Sequence, residues 1–69
     1  MELSARNQLK ATVKSIALGG IMAEVVLELA GGEELVAAIT RGSAERLGLK
    51  AGDSVVALVK ATEVMVGRP

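Results

Sequence analysis

Residues 8–16 read QLKATVKSI, in which small or apolar side chains alternate with Lys10, Thr12 and Lys14. Side chains along a strand point alternately to its two faces, so this period of two predicts a strand with one face towards a core. The residues expected on the buried face are Leu9, Ala11, Val13 and Ser15. The remainder of the chain is best interpreted as the elements that pack around this strand.

Further strands are predicted on either side of glycine pairs. Gly19-Gly20 ends the first strand, and Gly31-Gly32 between two apolar runs is a hairpin signal. The additional strands are expected at residues 21–30, 35–39, 54–60 and 63–66. The pattern therefore predicts five short strands.

One short helix is expected between the third and fourth strands. Ser43 is a good N-cap, and Glu45 would then lie in the first turn, where the helix dipole favours a carboxylate. Gly48 can adopt the left-handed conformation that ends a helix. Only about one turn is predicted, so packing rather than helix propensity must hold it.

This order of elements indicates an all-β fold, a five-stranded OB-like barrel forming a single domain over residues 1–69. The chain is 51% hydrophobic and contains no aromatic residue, and residues 55–59 are apolar on both faces of their strand. A chain of this size buries little surface alone, so we expect it to assemble into an oligomer.

Composition also narrows the function. The eight basic and eight acidic residues cancel, which disfavours a nucleic-acid binder that relies on a broad basic field. The chain has neither Cys nor His, so we expect no metal bound directly by side chains and no enzyme activity. No apolar run could span a bilayer, and a chain that starts at Met1 without a leader is expected in the cytoplasm.

Three segments suit an oxyanion. Ser4 and Arg6 share one face if extended, Thr40 and Ser43 flank the exposed amides of the short helix, and Lys60 ends the fourth strand. Each also has an ordinary structural interpretation, because Ser43 can be only a helix cap, Lys60 only a strand-end charge and Arg6 only a surface arginine.

Three motifs in order along the chain resemble the molbindins, small molybdate-binding proteins made of one Mop domain, a relative of the TOBE domain. The motifs are Ser4-Ala5-Arg6-Asn7-Gln8, then Ile39-Thr40 with Ser43 and Leu47-Gly48-Leu49-Lys50-Ala51-Gly52, then Val59-Lys60-Ala61 with Val64-Met65-Val66-Gly67. The resemblance implies a five-stranded barrel and a hexamer, a trimer of dimers, with oxyanions bound between subunits.

Carried over by motif, one subunit would supply Ser4, Ala5, Arg6, Lys60 and the backbone amide of Ala61. Its neighbour would supply Thr40 and Ser43. A second class of oxyanion site, lined by main chain, would involve Gly19, Gly20 and Ile21. The ligand would be molybdate, with tungstate also possible and no organic cofactor, and the role would be intracellular molybdenum storage and homeostasis.

Two alternatives use other chemistry. A nucleic-acid-binding barrel would stack bases on aromatic side chains, which this chain lacks. A DNA-binding antitoxin or transition-state regulator with swapped hairpins would fit residues 46–53 and the Val-rich strand after them, but it has no place for Ser4-Ala5-Arg6-Asn7. A strand-rich oligomer without a ligand is a third possibility.

Overall fold

The computed structural model describes residues 3–69. Met1 and Glu2 lie outside the described residues, and the expectation of a cytoplasmic chain without a leader rests partly on them. The elements, in chain order, are β1 (Asn7–Leu18), β2 (Met22–Leu29), β3 (Glu34–Thr40), α1 (Arg41–Leu47), β4 (Ser54–Val59) and a 3-10 helix (Ala61–Glu63). The four predicted strands before residue 60 and the helix between the third and fourth are confirmed.

The strands form one antiparallel sheet in the order β3-β2-β1-β4. Its concave face carries the core, and the buried core residues are Ala11, Val13, Val25, Leu27 and Ala57. The helix α1 adds the buried Ala44, and Leu49 beyond it packs against the core. Alternation on the strands, rather than any single large side chain, therefore places the hydrophobic core.

A β-bulge interrupts the alternation of β1. The register pairs Val13 with Leu27 but Ser15 with Val26, so Lys14 is the extra residue on this strand. After the bulge the half-buried Ile16 faces the core and Ser15 is exposed. The prediction that Ser15 lies on the buried face is therefore wrong, because one inserted residue exchanges the two faces.

The turn at residues 50–53 is hydrogen-bonded to β1 beside this bulge. Val13 donates its N–H to the Asp53 carbonyl at 2.9 Å and accepts from the Gly52 N–H at 2.8 Å. Gly52 adopts a φ of 95°, which is open to glycine and costly for other residues. Residues 46–53, which favoured a swapped-hairpin DNA-binding fold, thus form the end of α1 and a turn held against β1 of the same chain.

The helix begins three residues earlier than predicted. Thr40 is the N-cap, with an extended backbone and a side chain that accepts a hydrogen bond from the Ser43 N–H at 3.1 Å. Thr40 already has the extended conformation that a cap needs, because it is also the last residue of β3. Glu45 accordingly lies outside the first turn and faces Arg41, with Nε and Oε2 3.7 Å apart. Gly48 ends the helix at φ 62°, as predicted.

The predicted fifth strand at residues 63–66 does not form. After β4 the chain enters the 3-10 helix, where the Glu63 N–H donates to the Lys60 carbonyl at 2.9 Å, and residues 64–69 have no regular structure. A strand needs a neighbour to bind its backbone groups, and within residues 3–69 this segment has none. The sheet is therefore a curled four-stranded sheet with β3 and β4 at its edges, not a five-stranded barrel.

The outer face of β4 is apolar, as its sequence predicts. Val56 is 42% exposed and Leu58 47%, and Val36 on β3 also faces outwards. Beyond the sheet, Met65 and Val66 are almost fully exposed. Among residues 3–69, no helix has the length and apolar character needed to cross a membrane.

Candidate functional site

The first group of predicted site residues stands at the end of the sheet where β1 begins and β4 stops. The ladder between these strands ends with the pair Asn7 and Val59, so Arg6 and Lys60 each lie one residue beyond its last pair. We call this set the strand-end group. It consists of Ser4, Ala5, Arg6, Lys60 and Ala61. Antiparallel pairing thus unites two segments from opposite ends of the chain.

The strand-end group offers mainly hydrogen-bond donors. The ion pairs found among residues 3–69 join Lys14 to Glu34 and Arg41 to Glu45, so neither Arg6 nor Lys60 has a carboxylate partner there. Across the same residues, no backbone acceptor is found for the Ala61 N–H. The Ala5 carbonyl, which would repel an anion, accepts from Gln8 Nε2 at 2.8 Å. The group is therefore cationic and able to receive an anion.

The second group is a hydroxyl pair, Thr40 and Ser43, at the start of α1. Thr40 Oγ1 accepts from the Ser43 N–H and donates to Ser43 Oγ at 2.8 Å. Thr40 is exposed and Ser43 half-buried. The capping interaction holds both hydroxyls beside each other, so the cap and the candidate ligand functions coexist in one arrangement.

Two arginines beside the hydroxyl pair were not predicted from the sequence. Arg46 Nη2 donates to Ser43 Oγ at 3.3 Å, and Arg41 Nη1 donates to the Gly19 carbonyl at 3.1 Å. The spacing of three residues between Ser43 and Arg46 places both on one face of a helix, and this signal could have identified Arg46. Nothing local indicates the contact of Arg41, because its partner belongs to the distant β1–β2 loop.

The residues predicted for a second site, Gly19, Gly20 and Ile21, form that β1–β2 loop. The Gly19 N–H donates to the Met22 carbonyl at 2.7 Å, and the Ile21 carbonyl accepts from the Arg41 N–H at 2.7 Å. A Cβ added at Gly19 would lie 2.9 Å from the Met22 carbonyl oxygen, whereas Gly20 has open space. The loop is thus fixed against the start of α1, next to the hydroxyl pair.

One chain does not bring the strand-end group and the hydroxyl pair together. Thr40 pairs with Met22, which lies next to the far end of β1, while the strand-end group lies at the start of β1. The strand between them is 12 residues long, and a strand rises about 3.3 Å per residue. Within one chain, the two groups are therefore separate sets of candidate ligands.

Lys14, whose pKa is raised, lies away from both groups. The hydrogen bond from Lys14 to Glu34 raises the pKa of Lys14. This lysine sits at the bulge of β1 with a carboxylate partner on β3. It is thus a poor candidate for binding an anion, in contrast to Arg6 and Lys60.

Comparison with known protein sequences finds a family model and curated relatives that cover nearly the whole chain. A sequence model of the TOBE domain matches residues 3–66. Molybdenum-pterin-binding protein 1 of Clostridium pasteurianum is 48% identical over 66 residues, which cover 96% of this chain and 97% of that protein. The match spans both the strand-end group and the hydroxyl pair.

Solved structures give the same result for the backbone. The molybdate-binding protein from Sporomusa ovata is 53% identical and superposes with a TM-score of 0.92, covering 99% of this chain and all of that one. The cytoplasmic molybdate-binding protein ModG, solved with molybdate bound, is 49% identical with a TM-score of 0.85 over 88% of this chain and 43% of its own. The curled sheet with one short helix is therefore shared with molybdate-binding proteins.

Proposed function

Because this chain belongs to the TOBE-domain family, we propose that it binds molybdate at sites shared between copies of itself and serves in intracellular molybdenum storage and homeostasis. The observation that carries the proposal is the strand-end group. It gathers two cations, a hydroxyl and an uncommitted backbone amide, and no carboxylate among residues 3–69 forms an ion pair with its cations. The related molybdate-binding proteins support the choice of ligand.

The chemistry of the group matches the ligand. Molybdate is a tetrahedral dianion whose oxygens only accept hydrogen bonds, so a good site offers only donors. Arg6 and Lys60 would balance its charge, while Ser4, the amide of Ala61 and the hydroxyls of Thr40 and Ser43 would fix its orientation. Hydrogen bonds to charged groups contribute roughly 1.5–3 kcal/mol each. Tungstate has the same charge and shape, and we propose that it binds as well.

The separation of the two groups within one chain supports a site between subunits. The strand-end group of one copy would face the hydroxyl pair of another, and assembly would complete the ligand set. The apolar outer face of β4 and the exposed Met65 and Val66 give the chain surface to bury in an oligomer. We propose a hexamer, arranged as a trimer of dimers, that holds these sites.

A second class of oxyanion site is proposed at the loop of Gly19, Gly20 and Ile21. Its carbonyls at Gly19 and Ile21 are bound by Arg41, and no backbone acceptor is found within residues 3–69 for the amides of Gly20 and Ile21. Those amides would be the donors to an anion.

The cytoplasmic description of ModG supports the same location for this chain.

Calorimetric titration of the assembled protein with molybdate, with sulfate as competitor, tests the proposal. We expect saturable binding that excess sulfate does not displace, and an increase in thermal stability with molybdate concentration. The absence of both heat and stabilisation would contradict it. In that case specific retardation of a DNA duplex at moderate salt would be the next measurement.

A further inference from the structure

Arg46 is a third member of the arrangement around the hydroxyl pair. It is exposed, lies one helical turn after Ser43, and donates from Nη2 to Ser43 Oγ at 3.3 Å. The same oxygen accepts from Thr40 Oγ1 at 2.8 Å. Among residues 3–69, the ion pairs leave Arg46 without a carboxylate partner, because Glu45 on the same helix faces Arg41.

The contacts of Ser43 Oγ with Arg46 and Thr40 determine which hydrogen bond this hydroxyl can still make. A serine hydroxyl has two lone pairs and one hydrogen. An arginine can only donate, so Ser43 Oγ must act as acceptor towards Arg46. With Thr40 also donating to it, both lone pairs of Ser43 are engaged and its hydrogen remains for an outside acceptor. A hydroxyl in this state is a donor to an anion and has no lone pair left to repel one.

We infer that Arg46 is a positioning residue for oxyanion binding, which acts through Ser43 by keeping that hydroxyl turned outward as a donor. The inference rests on the proposed function, since it requires the hydroxyl pair to meet the anion. The positive charge of Arg46 also polarises the Ser43 hydroxyl, which strengthens the hydrogen bond that this hydroxyl donates. The expected ligand class is a tetrahedral oxyanion, for which molybdate is the probe.

A double-mutant cycle between Arg46 and Ser43 tests this role. Arg46→Met should weaken molybdate binding by about fivefold or more in the otherwise unaltered chain, as expected for loss of a charge-assisted contact. In the Ser43→Ala background the same change should cost less than about twofold, because the group through which Arg46 acts is gone. Arg46→Lys, which keeps a charged donor, should recover most of the affinity.

Two controls separate this role from charge or folding. Lys50→Met removes the same charge from an exposed residue whose side chain makes no hydrogen bond among residues 3–69, and it should leave affinity within about twofold. Every variant is first checked for assembly by sedimentation. An equal loss in both backgrounds, or no loss at all, would overturn the inference while the proposed function stood. No binding by the unaltered chain would overturn both.

Discussion

At the scale of single residues, Arg6 is the side chain with the clearest claim to bind an anion. It is exposed, lies just before β1, and has no carboxylate within ion-pair distance among residues 3–69. Its guanidinium offers a planar set of donors that matches an oxyanion better than a single ammonium does. Because it contributes little to the core, its removal separates ligand binding from folding.

Arg6→Ala should lower the affinity for molybdate at least about tenfold while the oligomer persists, since tenfold corresponds to about 1.4 kcal/mol and a charged hydrogen bond contributes at least that. Calorimetric titration measures the affinity and sedimentation the assembly. Arg68→Ala is the matched control, because it removes the same charge beyond the part of the chain that matches the TOBE domain. An assembled Arg6→Ala variant with unaltered affinity would remove Arg6 from the site.

At the scale of elements, the cap of α1 distinguishes the observed helix from the one expected from the sequence. The sequence predicts Ser43 as the N-cap, whereas Thr40, three positions earlier, is considered only as a ligand candidate. The structure assigns the cap to Thr40, whose Oγ1 accepts from the Ser43 N–H. In a helix of seven residues each satisfied amide matters, because packing and capping must replace length.

Thr40→Ala should therefore lower the free energy of unfolding by about 1 kcal/mol, the typical contribution of an N-cap side chain. Ser43→Ala should change it far less, because the amide of residue 43 can still donate to Thr40. Urea denaturation of both variants without molybdate, at equal protein concentration, measures the difference. Equal destabilisation by the two changes would mean that the hydroxyl pair, rather than the cap alone, stabilises the helix.

The secondary-structure elements also show which features of the fold could be predicted from the sequence. Strands with a regular period of two and the stop at Gly48 were predictable, because each depends on local chemistry. The bulge at Lys14 was not, since no local pattern marks it and it appears only in the pairing of β1 with β2. The strand-end group could be predicted as segments, but only the antiparallel pairing of Asn7 with Val59 places them together.

At the scale of the whole molecule, the segment that was expected to form a fifth strand pairs with no strand among residues 3–69. Val64 is 50% exposed, Met65 93% and Val66 94%. An apolar, strand-like segment with no neighbour among residues 3–69 can satisfy its backbone groups by pairing with another copy. Whether this segment forms a strand therefore depends on whether the proposed oligomer pairs it with another copy.

A chain that ends at Glu63 should sediment as smaller species than the full chain, whereas a chain that ends at Val66 should assemble normally. The first truncation removes the exposed apolar segment, and the second removes only residues 67–69. Both should retain the sheet, because residues 64–69 lie outside its strands and its core. Circular dichroism checks the fold, and unaltered assembly of the shorter chain would contradict a role for Val64–Val66 in association.

A site shared between copies predicts that mixing two binding-deficient variants restores some binding, whereas a site within one chain predicts no recovery. Arg6→Ala disables the strand-end group and Ser43→Ala the hydroxyl pair, so neither variant alone should bind with full affinity. When the two variants are unfolded and refolded together, random mixing should restore about a quarter of the sites, those in which each subunit contributes its intact group. Titration with molybdate counts these tight sites. A chain that carries both substitutions, treated in the same way, should regain none. If the mixed oligomer also regains none, the two groups do not meet across an interface, and the proposal of a site shared between copies fails.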